Sequence, residues 1–215
     1  MISNYKYILL DVDGVVLSSI NYYIDLFRDI AESLGASKNI PNEFYKKNIG
    51  VKIITWMINV VPEENHHKIK DLFVSKNRDT ADIHQFPIIE GTKETLLKIK
   101  ENNQKSCFIS TKTRESMDLA IKYYNLESIL DFSISGDEVK KYKPDPEGIF
   151  KTLKYFNAKP DEAIFVGDSL HDLGAARNAH VRFIGVLSGI CTKSDWELEK
   201  VPYVPSVKEV YSLIQ

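Results

Sequence analysis

The chain has 215 residues, of which 43% are hydrophobic and 27% are charged, and its formal net charge is −2. These values are ordinary for a globular protein, and so small a charge gives no indication of binding to nucleic acid or to a membrane surface. The two cysteines, Cys107 and Cys191, are too few for a disulfide framework, which favours a cytoplasmic protein. The apolar runs are too short for a signal peptide or a membrane-spanning helix, so we expect neither.

The first predicted element is a buried strand over residues 7–10, which runs directly into Asp11-Val12-Asp13-Gly14. A strand that is apolar on both faces is typical of the inside of a parallel sheet. Alternation along the extended chain places Asp11 and Asp13 on the same face. Two carboxylates that close repel each other, and a divalent cation, Mg²⁺ for oxygen ligands, would relieve the repulsion. The alternative interpretation is an acidic turn, because Asp and Gly are common turn residues.

The chain from Ser18 to about Ile83 has the periodicity of helices and contains no alternating strand pattern. Apolar residues recur at three- and four-residue steps over residues 20–34, and Gly50 separates two later helical segments. Helical hairpins of this kind form a small bundle. We therefore predict an all-helical cap domain over residues 17–83, inserted directly after the acidic motif, where it would act as a lid.

From Pro87 onward, predicted strands alternate with predicted helices, which is the pattern of a doubly wound α/β sheet. The predicted strands are residues 106–109, 132–135, 163–166 and 182–186. The predicted helices are residues 92–102, 114–124, 146–156, 170–179 and 207–214. With the first strand they define a Rossmann-like core formed by residues 1–16 and 84–215. Right-handed crossovers would bring the carboxyl ends of these strands to one edge of the sheet.

The residues at these strand ends are of the types that perform phosphoryl transfer. Ser110 and Thr111 follow the second strand, Asp168 follows the fourth, Asp172 lies in the next helix, and Lys143 lies in a proline-stiffened loop. A carboxylate can attack phosphorus, while a metal ion, a lysine and hydroxyl groups stabilise the transferring phosphoryl group. Simpler interpretations are that the two hydroxyl residues cap the next helix and that the two acids interact with a helix dipole.

The chain resembles the haloacid dehalogenase superfamily in four motifs that occur in the same order. They are Asp11-Val12-Asp13-Gly14, Ser110, Lys143-Pro144, and Gly167-Asp168-Ser169-Leu170-His171-Asp172. Each motif alone is weak, but four of them at strand ends in this order are highly specific. The helical insert after the first motif resembles the phosphoglycolate phosphatase-like branch. The resemblance implies an α/β core with an inserted helical cap.

The resemblance also implies a role for each motif residue. Asp11 would be the nucleophile, Asp13 would be the general acid and base, and Lys143 would offset the charge that Asp11 shares with the phosphoryl group. Mg²⁺ would be held by Asp11, by Asp168 and by the main-chain carbonyl of Asp13. Asp172 would orient metal-bound water or Lys143.

Phosphate binding is implied for the Ser110 hydroxyl and for the backbone amides of Val12 and Thr111. The activity implied is hydrolysis of a small phosphorylated metabolite through an aspartyl-phosphate intermediate. An aspartate at position 13 opposes cleavage of a carbon–halogen bond, because the dehalogenases lack one there. It implies rapid turnover of the phosphoenzyme by water, as in a phosphatase or a mutase.

Other functions remain open at this point. A β-phosphoglucomutase-like phosphomutase or an inorganic pyrophosphatase would share the helical insert, although the arginine of the mutases is absent after Gly50. A signalling receiver domain also joins acids, a lysine and Mg²⁺ on a parallel sheet, but such domains are shorter and have no insert. A protein that keeps the site and acts by binding a partner belongs to a third class.

Overall fold

The structure, a computed structural model, describes residues 5–77 and 86–214. Within those ranges no helix is both long enough and apolar enough to cross a membrane. The helical pattern predicted for residues 78–83 lies outside the described residues.

The chain divides into two compact units, one from Met1–Ser18 and Pro87–Gln215 and the other from Ser19–Phe86. We call them the α/β unit and the helical unit. The cap bounds predicted from the sequence, 17–83, stay a prediction, because one junction falls among residues that the structure does not describe.

The helical unit is built around aromatic side chains. Its helices are α1 (Ile20–Ser33), α2 (Asn42–Lys46), α3 (Ile53–Met57) and α4 (Ile69–Lys76), and a 3-10 helix (Glu63–Lys68) precedes α4. The rings of Phe27 on α1 and Trp56 on α3 meet edge to face, with centroids 5.1 Å apart. Tyr45 on α2 is fully buried beside them. The aromatic residues of the predicted helices therefore form the core of this unit.

A parallel sheet organises the α/β unit, as predicted. Its six strands in the described residues are β1 (Tyr7–Leu10), β2 (Lys105–Ile109), β3 (Phe132–Ile134), β4 (Ala163–Gly167), β5 (Arg182–Val186) and β6 (Tyr203–Val204). Their order is β3-β2-β1-β4-β5-β6, and every pair is parallel. Strand β1 lies between β2 and β4, with Leu10 opposite Phe108 and Val166. The carboxyl ends of all three strands therefore lie at the same edge of the sheet, next to Asp11.

Helices flank the sheet in the alternating order that the sequence predicts. They are α5 (Thr92–Glu101), α6 (Arg114–Tyr123), α7 (Glu147–Tyr155), α8 (Leu170–Asn178), α9 (Lys193–Glu199) and α10 (Val207–Ile214). The sequence analysis missed β6, which is too short to show alternation, and α9. Helix α9 begins at a capping box of Thr192 and Asp195, a signal that could have found it. Its Trp196 is fully buried and donates to the Val186 carbonyl at 3.2 Å.

Candidate active site

The first motif lies where β1 ends in the middle of the sheet. The Asp11 N–H donates to the Val166 carbonyl of β4 at 2.9 Å, so Asp11 continues the strand pairing by one residue. Gly14 has a φ of 78°, a left-handed conformation in which glycine is favoured. A Cβ at this position would lie 2.2 Å from Oδ2 of Asp168. The glycine therefore lets the first motif approach the carboxylate that follows β4.

Three buried aspartates cluster at this edge of the sheet. Carboxylate oxygens of Asp11, Asp168 and Asp172 all lie within 4.8 Å of one another. Burial raises the pKa of Asp11 to about 7, and the charge of Asp172 adds to this effect. Burial, together with Asp172 and Asp11, also raises the pKa of Asp168 well above its ordinary value. The fold thus concentrates negative charge where water does not screen it.

Lys143 lies between two of these acids. Its Nζ is 2.7 Å from Oδ1 of Asp11 and 2.5 Å from Oδ1 of Asp172. Burial alone would lower the pKa of Lys143, but the charges of Asp11 and Asp172 outweigh burial and raise it. The amine is therefore held as an ammonium ion in contact with the predicted nucleophile.

Ser169 fixes the orientation of Asp172. The Ser169 hydroxyl and N–H donate to Oδ2 of Asp172 at 2.5 and 3.1 Å, which forms a capping box at the start of α8. Oδ1 of the same carboxylate accepts from Lys143. Asp172 therefore takes part in a helix cap and contacts Lys143, and its role in orienting Lys143 or metal-bound water stays a prediction.

The loop after β5 contacts Asp168, an involvement that was not predicted from the sequence. The Ile190 N–H donates to Oδ2 of Asp168 at 2.8 Å, and the Ser188 hydroxyl donates to the Gly14 carbonyl at 2.7 Å. A Cβ on Gly189 would lie 1.9 Å from Oδ2 of Asp168, so a larger residue would displace this carboxylate. The available signal was the position of this loop, which follows a strand end as the four motifs do.

The Asp13 carboxylate lies outside the three-aspartate cluster. Its Oδ1 is 3.3 Å from Nζ of Lys112, and the Lys112 side chain is only 2% exposed. Lys112 was not among the site residues predicted from the sequence, although it comes two residues after Ser110. The part of Asp13 predicted to bind metal is the main-chain carbonyl, and that role stays a prediction.

Ser110 directly follows β2 and is 5% exposed. Its Oγ accepts a hydrogen bond from the Lys112 N–H at 3.1 Å, which tightens the turn. The residue that caps α6 is Thr113, whose Oγ1 accepts the Ser116 N–H at 3.2 Å. The interpretation of Ser110 and Thr111 as helix caps is therefore wrong. Their contacts to phosphate, and that of the Val12 amide, stay predictions.

The donor set of the three-aspartate cluster fits Mg²⁺. Carboxylate oxygens are hard ligands, which Mg²⁺ prefers, and one ammonium ion cannot neutralise three carboxylates. Burial is the main cause of the raised pKa values of Asp11 and Asp168, and the neighbouring carboxylates add to it. A divalent cation held by Asp11 and Asp168 would relieve this repulsion.

The acid cluster lies at the carboxyl ends of the strands of a Rossmann-like parallel sheet, which is where α/β proteins of this class bind their ligands. More particularly, the chain belongs to the haloacid dehalogenase-like hydrolases, because the profile of this family matches residues 8–186. The predicted family and the predicted fold are therefore confirmed.

Curated relatives and solved structures extend this comparison. The chain is 24% identical to pyrophosphatase PpaX of Bacillus cereus over 208 residues, which cover 96% of this chain and 90% of that protein. A structure from Bacteroides fragilis, described as a haloacid dehalogenase-like hydrolase, is 26% identical with a TM-score of 0.83 and covers 96% of this chain and 99% of that one. A structure from Lactobacillus plantarum, described as a phosphoglycolate phosphatase, has a TM-score of 0.82 at 19% identity and covers 98% and 99%. The last likeness concerns the fold alone.

Proposed function

We propose that this chain is a Mg²⁺-dependent phosphatase that hydrolyses a small phosphorylated molecule through a phosphoryl group carried on Asp11. The observation that supports this most is the contact of Lys143 Nζ with Oδ1 of Asp11, 2.7 Å away, inside a cluster of buried acids. An ammonium ion at this distance keeps one carboxylate oxygen in place and favours the ionised form that a nucleophile needs.

In the first step, a carboxylate oxygen of Asp11 attacks phosphorus while the bond from phosphorus to the leaving oxygen breaks. Asp13 donates a proton to that leaving oxygen. Lys143 offsets the negative charge that Asp11 and the phosphoryl group share, and the Ser110 hydroxyl with the Val12 and Thr111 amides binds the phosphoryl oxygens. The leaving group departs as a neutral alcohol or, from a diphosphate, as phosphate.

In the second step, Asp13 takes a proton from water as the water oxygen attacks phosphorus. The bond between phosphorus and the Asp11 oxygen breaks, which releases phosphate and regenerates the Asp11 carboxylate. Asp11 and Asp168 would hold Mg²⁺, which supplies positive charge against the phosphoryl oxygens when it is bound. Asp172, fixed by Ser169, keeps Lys143 directed at the nucleophile.

The leaving group distinguishes the two substrates that we consider. A phosphate monoester follows from the resemblance to phosphoglycolate phosphatases, whereas the match to PpaX along 96% of the chain favours inorganic pyrophosphate. Both reactions use the same steps at Asp11.

We also propose that the protein is cytoplasmic, since Cys107 and Cys191 are both buried free thiols.

The test is turnover of nitrophenyl phosphate, of a panel of small phosphate esters and of pyrophosphate, with Mg²⁺ and after chelation. Asp11→Asn should lower kcat by more than about 10³-fold, as removal of a nucleophile does in other enzymes. The control is Asp25→Asn, because the Asp25 side chain is 71% exposed in the helical unit. Turnover of any of these substrates that survives Asp11→Asn would refute the assignment of the nucleophile. A folded wild-type protein with no turnover on the whole panel would favour a partner-binding role instead.

A further inference from the structure

Lys112 is almost completely buried, which is unusual for a lysine. The residue is 5% exposed, and its side chain is 2% exposed. Lysine is among the residues least often buried, because removing an ammonium ion from water is unfavourable unless a partner compensates for it. A buried lysine in the turn after the second strand therefore requires an explanation.

The carboxylate that faces Lys112 belongs to Asp13. Nζ of Lys112 lies 3.3 Å from Oδ1 of Asp13, whose side chain is 13% exposed. The Asp13 carboxylate is thus partly exposed to solvent and contacts the buried ammonium ion of Lys112. Such a pair restricts the directions in which the carboxylate can point.

Two hydrogen bonds fix the backbone of Lys112, one at its N–H and one at its carbonyl. The Lys112 N–H donates to the Ser110 hydroxyl at 3.1 Å, and the Lys112 carbonyl accepts the Gly136 N–H at 2.7 Å. A Cβ on Gly136 would lie 2.5 Å from the Thr111 carbonyl oxygen, so glycine permits this close approach. Because the turn is held in this way, the lysine has a rigid base from which to reach Asp13.

Lys112 and Lys143 contact different acids. Lys143 contacts Asp11 and Asp172, which belong to the three-aspartate cluster. Lys112 contacts Asp13, which does not. The proposed general acid and base is therefore held by a group separate from the ones that hold the nucleophile.

We propose that Lys112 is a positioning residue, which holds the Asp13 carboxylate where it can exchange a proton with the leaving oxygen and with water. This inference rests on the proposed function, because it assigns Lys112 a role through Asp13. The role requires contact between Lys112 and Asp13 and not between Lys112 and the reacting atoms.

The primary test is Lys112→Met, which removes the charge and keeps most of the stem. General acid–base catalysis contributes about 10²–10⁴-fold, so displacing Asp13 should lower kcat by about 10–100-fold, with KM within about threefold. The loss should be larger for glycerol phosphate than for nitrophenyl phosphate, because the poorer leaving group needs the proton more. The matched control is Lys193→Met, since Lys193 also pairs with a carboxylate but is 66% exposed. An equal loss on both substrates would overturn the proposal.

A double-mutant cycle with Asp13→Asn separates positioning from a purely structural effect. If Lys112 acts through Asp13, Lys112→Met should lower kcat by less than about twofold in the Asp13→Asn background. If Lys112→Met lowers kcat by the same factor in the Asp13→Asn background as in the wild type, the proposed role of Lys112 is overturned. The proposed function would remain intact. If Asp13→Asn by itself leaves glycerol phosphate turnover unchanged, the role of Asp13 in the proposed function fails instead. Should circular dichroism show that Lys112→Met does not fold, Lys112→Gln is used in the same cycle with the same criteria.

Discussion

The two units of this protein differ in whether they bury charged side chains. The core of the helical unit contains rings such as Phe27 and Trp56, and its ion pair between Lys76 and Asp29 lies at the surface. The α/β unit also has an apolar core, but in addition it buries three carboxylates and the side chain of Lys112, and the Lys143 side chain is only 11% exposed. Buried rings stabilise a fold, whereas buried charges oppose folding unless each is compensated. The α/β unit therefore maintains an arrangement that stability alone would not select.

The largest effect should follow from breaking the charge compensation at Lys143. Lys143→Met leaves the buried Asp11 and Asp172 carboxylates without their ammonium ion, and loss of one partner of a buried pair destabilises by about 3 kcal/mol. It also removes a charge from the proposed transition state, so kcat should fall by about 10²–10³-fold. Urea unfolding and nitrophenyl phosphate turnover measure the two effects.

Lys6→Met is the control for this prediction, because Lys6 pairs with Glu162 at the surface with its own side chain 66% exposed. It should change neither the unfolding midpoint nor the turnover. If Lys143→Met and Lys6→Met have the same free energy of unfolding, the buried carboxylates do not depend on Lys143 for their charge compensation.

An intermediate effect should come from Mg²⁺, and its size should depend on pH. A Mg²⁺ concentration of 100 times the dissociation constant would stabilise the native protein by about 2.7 kcal/mol. Because Asp11 has its pKa raised from 3.8 to about 7, its contribution to the stability of the metal-free protein is present below 3.8 and is lost as pH rises through about 7. Mg²⁺ must displace that proton, so its stabilisation should grow as pH rises from about 5 to about 8.

Thermal unfolding with and without Mg²⁺ at each pH measures this dependence. Asp168→Asn, which removes one proposed ligand, should abolish most of the Mg²⁺-dependent shift at about pH 8. A shift that is the same at both ends of the pH range, or that survives Asp168→Asn, would contradict the proposed site.

The smallest effect should come from the aromatic core of the helical unit. The Tyr45 hydroxyl is buried and has no hydrogen-bond partner among the described residues. Removing an unsatisfied polar group relieves its desolvation penalty, so Tyr45→Phe should leave the free energy of unfolding unchanged or raise it by up to about 1 kcal/mol. Urea unfolding measures the change. A clear loss of stability would mean that this hydroxyl has a partner, and the contrast between the two units would weaken.

Much of the α/β unit follows from local sequence signals. The apolar run before Asp11, the alternation of strand and helix patterns, and the order of the motifs predicted the parallel sheet and the edge at which the acids lie. These features are local because strand alternation and helical periodicity depend on residues a few positions apart. The short strand β6 escaped prediction for the same reason, since two residues carry no period.

Other features depended on the tertiary structure. The sequence brought Asp11, Asp168 and Lys143 into one hypothesis through motif order, but it did not specify which atoms of the loop after β5 contact Asp168 or that Lys112 faces Asp13. Those contacts join strand ends that are far apart in the chain. The sequence by itself thus determined which chemical groups reach the edge of the sheet. Only the packing of loops at that edge decided which ammonium ion meets which carboxylate, because charge pairing depends on distances of a few ångströms that strand and helix periodicity do not specify.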